Sequence, residues 1–372
     1  MGIDVAQLDQ LRERVRREVD QGILPSCQFA IGLDGELITH EVVGDARLDS
    51  TYLVFSCTKG FVAGVVWQLM GEGRLSPSDR IVDHLPEIAA HDKGDITVEQ
   101  LLTHTSGFPR APLGPPTWTK PVRRVEAMAG WRLNWEPGSQ FEYHPTSAHW
   151  VLGEIVARID GRTIGDAIAA RISEPLGLGF RLGIPVDEQA NFAHLVLTGT
   201  DPSPDDLEQV FGVRTYERGE VTPEALVELG RPENLAVGVP GGGGVGTAAD
   251  LALYYQALLT NPGGLWDDAL LRDATRTIRC TMPDPLLGHA ANRSLGLIVA
   301  GDDGKSHLRG MGHTVSPTAF GHNGAAGQIA WADPETGLSF GYVTNGVDRD
   351  FLREARRTSG IASRAGGLAT RN

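Results

Sequence analysis

Lysine is nearly absent from this chain: of its 33 basic residues only Lys59, Lys93, Lys120 and Lys305 are lysine, and the rest are arginine. Plain positive charge is written as arginine throughout, so a retained lysine marks a place where arginine does not serve. One such place is a proton-accepting position, because arginine keeps its proton in a protein whereas a desolvated lysine gives it up. Cysteine is equally scarce. Cys27, Cys57 and Cys280 are odd in number and widely spaced, which argues against a disulfide framework and for reduced thiols.

Other absences narrow the function further. No apolar run approaches the length of a membrane span, and no run of Lys and Arg makes a basic patch in a chain of net charge −14, so membrane and nucleic-acid partners are not expected. The first twenty residues, MGIDVAQLDQLRERVRREVD, place charges at helical spacing without an apolar h-region and read as a surface helix rather than a secretory signal. Position 6 is Ala6, which does not fit a myristoylation signal at Gly2. The expectation is a cytoplasmic protein. No H-E-x-x-H occurs among the histidines, and His144 and His149, five residues apart, do not share a helical face. The glycines at 241 to 244 lack the G-K-[ST] or preceding strand of a phosphate cradle. No cofactor or metal is called for.

With 41% apolar residues over 372 positions the chain supplies an ordinary globular core. After the first helix, QFAIGLDGELITHEVVGDA predicts two strands joined at Asp34-Gly35. From Ser56 to Arg74 the period changes: Phe61, Val62, Val65, Val66, Leu69 and Met70 recur at helical spacing and predict a buried helix ended near Gly71 and Gly73. Residues 75 to 235 read as helical pieces broken by Pro-rich loops. PGGGGVG (240 to 246) reads as a loop, with Thr247 and Asp250 opening the helix LALYYQALL. SLGLIVAG, FGHNGAAGQIAWADP and GLSFGYVTN read as three strands, and FLREARR as a final helix. The fold class expected is α+β, with a sheet built from residues 1–74 and 236–372 and an inserted, mostly helical lobe over 75–235.

Ser56-Cys57-Thr58-Lys59 is the only S-x-x-K in the sequence. It stands at the predicted start of the buried helix, where a spacing of three puts both side chains on one face. The positive end of a helix dipole stabilises an alkoxide on Ser56 and disfavours a protonated Lys59, so both effects favour nucleophilic attack. The plainer alternative is a serine N-cap followed by a chance lysine.

The surroundings of this motif decide between the two. FSCTKGF (55 to 61), GRLSPSDRIVDHLPE (73 to 87), ITVEQLLTHTSGFP (96 to 109), WEPGSQFEY (135 to 143), PGGGGVGTAADLALYYQALL (240 to 259) and GHNGAAGQIAWADPETGLSFGYVTN (321 to 345) together resemble the serine β-lactamase-like superfamily of class C β-lactamases, DD-peptidases and family VIII carboxylesterases. The resemblance runs along most of the chain and implies a β-lactamase/transpeptidase-like fold. It makes Ser56 the nucleophile and Lys59 the general base. Tyr143 falls on the family's Y-x-N tyrosine, a proton carrier between nucleophile and leaving group, whose pKa a protonated Lys59 would lower. His322-Asn323-Gly324 falls on the K-T-G or H-x-G element, on a strand ending in a turn at Gly327. There the amides of Ser56 and Ala325 would form the oxyanion hole, and Gly324 would let substrate approach the backbone.

The chain departs from that pattern at Pro145, where the family has Asn. Proline has no side-chain amide, so the contact that Asn makes to a β-lactam side chain or to the lysine is not expected, and His144 is a candidate polar wall group in its place. His322 instead of lysine leaves a group that is neutral near pH 7 and removes a fixed cation that would recruit a carboxylate. Both departures point to a carboxylesterase acting on a small-molecule ester rather than a β-lactamase. Acyl transfer or amide (β-lactam-type) hydrolysis on the same site, and a non-catalytic binding module with a vestigial cleft, are the alternatives. His104 reads as structural, and Trp118, Trp131 and Trp135 as acyl-pocket or core residues.

Overall fold

The computed structural model describes residues 2–216, 219 and 221–370. Helix α1 (Val5–Asp20) is capped by Asp4, whose carboxylate accepts from the amides of Ala6 and Gln7, and it turns Leu8, Leu11 and Val15 inward. Strands β1 (Ser26–Leu33) and β2 (Glu36–Gly44) form the expected hairpin. Asp34 and Gly35 both adopt positive φ, 53° and 85°, the two-residue turn whose twist matches the flanking strands.

A short strand β3 (Tyr52–Leu53) leads to helix α2 (Thr58–Gly71). Every residue of α2 from Thr58 to Met70 is buried, which fits a helix that is apolar all round rather than along one stripe. Strands β4 (Arg181–Leu182) and β5 (Val196–Thr198) interrupt the otherwise helical segment that follows. The glycine run read as a loop is in part a strand, β6 (Gly244–Gly246), pairing with both β3 and β4. A Cβ on Gly244 would stand 2.4 Å from Phe180 and 2.7 Å from Thr58 Oγ1, so glycine serves close packing here as much as turning. Thr247 caps the next helix, Ala248–Thr260, in a capping box with Asp250.

The C-terminal half supplies β7 (Ile298–Val299), β8 (Phe320–Gly321), β9 (Ile329–Asp333), β10 (Leu338–Thr344) and β11 (Gly346–Asp348), then a helix that runs well past FLREARR, over Phe351–Gly366. FGHNGAAGQIAWADP is two strands rather than one, separated by a turn that includes Ala325–Gly327. The main sheet is antiparallel in the order β2-β1-β10-β9-β8-β7. It is assembled from both ends of the chain. Helix Ala248–Thr260 packs on one face, against β1, β9 and β10, while α1 and the Phe351–Gly366 helix cover the other. A single apolar cluster joins α2, the helical segment and Ala248–Thr260. Among the described residues no helix is long and apolar enough to cross a membrane.

Candidate active site

Ser56 lies in a 3-10 turn, Phe55–Cys57, that feeds directly into α2. Phe55 takes a φ of 45°, a left-handed conformation that costs a bulky residue on the order of 1–3 kcal/mol and persists only where the surroundings hold it. They do so through Thr58, whose hydroxyl donates to the Phe55 carbonyl at 2.5 Å and accepts from the amide of Gly244 at 2.9 Å. The result is a serine presented at a helix start, partly exposed, between fully buried neighbours.

The three-residue spacing acts as expected: Lys59 Nζ stands 3.1 Å from Ser56 Oγ. Its other two contacts are main-chain carbonyls, Pro145 O at 2.8 Å and Gly241 O at 2.6 Å. Lys59 is fully buried, and burial, then the charge of Arg293, hold its pKa well below the usual lysine range. A neutral amine has two hydrogens and one lone pair. The hydrogens go to the two carbonyls, which leaves the lone pair to accept the Ser56 proton.

Tyr143 completes the arrangement, its hydroxyl donating to Ser56 Oγ at 2.7 Å. Loss of water pushes its pKa up to about 12, against the opposing pull of the Ser56 bond and of Arg293. At neutral pH the phenol carries its proton. The cation acting on it is therefore not Lys59, as the sequence suggested, but Arg293, whose guanidinium lies 5.2 Å from the Tyr143 ring centroid. Pro145 also differs from expectation. It lacks the amide side chain, yet its own carbonyl makes the contact to lysine.

His322 and Gly324 continue the β8–β9 ladder irregularly: His322 N–H donates to Ala330 O at 3.0 Å and Gly324 N–H to Gln328 O at 2.9 Å. His322 is buried, with Nε2 3.2 Å from Arg293 Nη1 and Nδ1 2.8 Å from Asn323 O. Arginine only donates, so Nε2 is the acceptor and the ring proton sits on Nδ1. Burial and Arg293 keep the imidazole neutral, and neither nitrogen is left for substrate. Asn323 is exposed and packs against Gly310.

Gly324 serves the protein rather than the substrate, because a Cβ there would meet Val54 O at 2.4 Å. The end of the ladder is thereby seated on the segment leading into Ser56, and Ala325 follows it. Ser56 and Ala325 both stand in the opening turns of 3-10 segments, where amides lack an acceptor within the turn. Ala326 holds the corner with a φ of 56°. Gly324→Ala is expected to cost roughly 1–3 kcal/mol by overpacking and to slow acylation of Ser56. A thermal melt and a covalent-labelling rate, both at the wild-type value, would contradict this.

His144 is not a wall group. It is completely buried, accepts from the Phe108 amide at 3.2 Å through Nε2 and places Nδ1 2.6 Å from Glu142 O. Burial lowers its pKa to about 4. Its ring ties the Tyr143 loop to the Ser106–Phe108 turn, an internal brace with no nitrogen turned to solvent. His104, at a φ of 59°, accepts from the His144 amide through Nδ1 at 3.2 Å, and its ring lies tilted at 48° to that of Tyr143 with centroids 4.7 Å apart. Trp131 is buried and donates to Pro112 O. Cys57, next to the serine, is buried with its thiol pushed well up by burial, so it does not compete as a thiolate.

Sequence reasoning missed three participants: Arg293 and the carbonyls of Pro145 and Gly241. One signal was available. Gly241 has no room for a side chain, with Pro145 O at 2.6 Å from a would-be Cβ, and glycines in such a run mark close backbone approach.

A serine flanked by a desolvated lysine and a tyrosine, beside a strand end, on a sheet made from both chain termini, is the architecture of a serine hydrolase. The chain belongs to the Beta-lactamase family, whose family model matches residues 11–362. It is 26% identical over 343 residues to the esterase/beta-lactamase LipL of Mycobacterium tuberculosis, covering 85% of this chain and 76% of that one. Among solved structures, a penicillin-binding protein homolog from Caulobacter crescentus superposes with a TM-score of 0.78 at 27% identity, over 97% of this chain and 98% of that one. A family VIII carboxylesterase superposes with a TM-score of 0.78 at 25% identity, over 98% and 99%.

Proposed function

We propose that this serine hydrolase is a carboxylesterase that cleaves small-molecule esters through an acyl-enzyme on Ser56. The observation that carries the reading is the placement of Ser56 Oγ between Lys59 Nζ at 3.1 Å and Tyr143 OH at 2.7 Å. In acylation, Lys59 takes the Ser56 proton as Oγ bonds to the ester carbonyl carbon, and the amides of Ser56 and Ala325 receive the oxyanion. The carbon–oxygen bond to the leaving group then breaks, and the proton passes from Lys59 through Tyr143 to the departing alkoxide. Deacylation runs the same relay with water as nucleophile.

Ester rather than β-lactam cleavage is supported by Pro145, which has no amide for a β-lactam side chain, and by His322, whose neutral ring is fully engaged by Arg293 and Asn323. The likeness to an esterase/beta-lactamase and to a family VIII carboxylesterase agrees with it. Three free, buried cysteines support a reducing, cytoplasmic setting. The test is a chain-length series of p-nitrophenyl esters run beside nitrocefin on wild type and Ser56→Ala. Ester turnover abolished by the substitution is expected, with little nitrocefin cleavage. Strong nitrocefin turnover would reverse the preference, and absence of covalent label from a fluorophosphonate would favour a non-catalytic binding module.

A further inference from the structure

Arg293 is a costly residue to bury. The residue is 7% exposed, and among the described residues its one side-chain hydrogen bond runs from Nη1 to His322 Nε2, while Nε is buried with no partner. The guanidinium faces two aromatic rings, Tyr143 at 5.2 Å and Phe141 at 5.6 Å from their centroids. Asp284 acts on it electrostatically, without an ion-pair contact among the described residues. Its main chain is fixed by pairing with Cys280, N–H to O at 3.0 Å and O from N–H at 3.1 Å, so the charge is held in place rather than swung in from solvent. Burying a cation without a carboxylate costs several kcal/mol even after relaxation. Arginine does not escape that cost by losing its proton.

We propose that Arg293 is an electrostatic positioning residue of the Ser56 site: it supplies, from outside the β8–β9 strand end, the fixed cation that His322 does not, keeps Lys59 free to accept the serine proton, and favours the onward passage of that proton through Tyr143. The inference rests on the reading of these three residues as an acyl-transfer site. The titratable groups gathered around the relay are Cys57, His104, Tyr143, His144, His149 and His322. None of them is an acid that carries negative charge at neutral pH. Burial holds the four histidines neutral and the thiol protonated, so Arg293 is the one lasting charge in that group. A like charge nearby opposes protonation of Lys59, and the same charge over the ring face of Tyr143 favours the developing phenolate. The first effect keeps Lys59 in the free-base form that can accept the serine proton at neutral pH and eases release of that proton afterwards, and the second eases its passage through tyrosine.

The experiment is the pH dependence of Ser56 labelling by a neutral fluorophosphonate, which requires a nucleophile but no ester turnover. Arg293→Met is expected to move the acidic limb upward by about one pH unit, a loss of about tenfold on that limb. Arg293→Met combined with His322→Lys, which returns a cation from the strand end, is expected to move it back. Arg293→Gln keeps a donor for His322 Nε2 and serves if the methionine variant does not fold. An unchanged limb in a folded, fully labelled variant overturns the proposal, as does a double variant that stays shifted. A loss confined to KM for an anionic ester such as p-nitrophenyl hemisuccinate, with the limb in place, also overturns it and makes Arg293 a substrate carboxylate site instead. Failure of the wild type to label at all would strike the acyl-enzyme reading itself, a separate result.

Discussion

Replacing Lys59 by methionine is expected to slow acylation of Ser56 by roughly 10²- to 10⁴-fold, the usual loss when a general base is removed, and replacing it by arginine is expected to be equally damaging. The second half carries the information. An arginine keeps positive charge and hydrogen-bond donors for Pro145 O and Gly241 O, which hold Lys59 Nζ at 2.8 and 2.6 Å. What it lacks is a lone pair at neutral pH. If Lys59 acted as a cation that draws in substrate or steadies an oxyanion, Lys59→Arg would recover much of the activity. In wild type the rate is expected to fall as pH drops through the depressed pKa of Lys59, because protonation removes the base, and to stay high well below the ordinary lysine range. Pre-steady-state bursts with a p-nitrophenyl ester measure the acylation step directly. Recovery in the arginine variant would sink the assignment.

Ser56 and Lys59 were legible because their relation is local: three residues along a helix fixes a contact whatever the rest of the chain does. The hairpin at Asp34-Gly35 and the cap at Thr247 were legible for the same reason, since each depends on residues within one turn. Tyr143 became legible only through resemblance to a family, because nothing in FEYHPTS by itself brings a phenol to a serine 87 positions away. Two of the three lysine contacts were invisible, being main-chain carbonyls that every residue carries. Proline at 145 thus looked like the loss of a contact, although its carbonyl makes one.

Arg293 was hidden by the arginine-rich composition that made Lys59 stand out. In a chain with so many arginines, one that is buried without a carboxylate partner among the described residues carries no mark of its own in the sequence. His144 misled in the opposite direction. A polar residue next to a catalytic tyrosine invites a role in the cleft, but backbone groups of the Ser106–Phe108 turn and of Glu142 claim both its ring nitrogens. The long FGHNGAAGQIAWADP run misled because its apolar content reflects burial on both faces of a central sheet, which erases the period of two that separates strand from turn.

Tyr143→Phe removes one oxygen and, with it, the 2.7 Å bond to Ser56 Oγ. Packing against His104 and the position over Arg293 depend on the ring and are retained. The expected cost is again on the order of 10²- to 10⁴-fold for an alkyl ester, whose alkoxide must receive a proton as it departs. For a p-nitrophenyl ester it should be much smaller, since a nitrophenolate leaves without one. The phenol also donates to Oγ before reaction, a bond that steadies the neutral serine and must weaken as Oγ attacks. Its loss in the phenylalanine variant partly offsets the loss of proton delivery where delivery is not needed. The measurement is kcat/KM for phenylalanine variant and wild type across esters of one acyl group and leaving alcohols of rising basicity. A penalty that grows with basicity assigns Tyr143 to the leaving group. A constant penalty would mean that Tyr143 only orients Ser56, and the proton would then have to reach the leaving group from Lys59 without passing through the phenol.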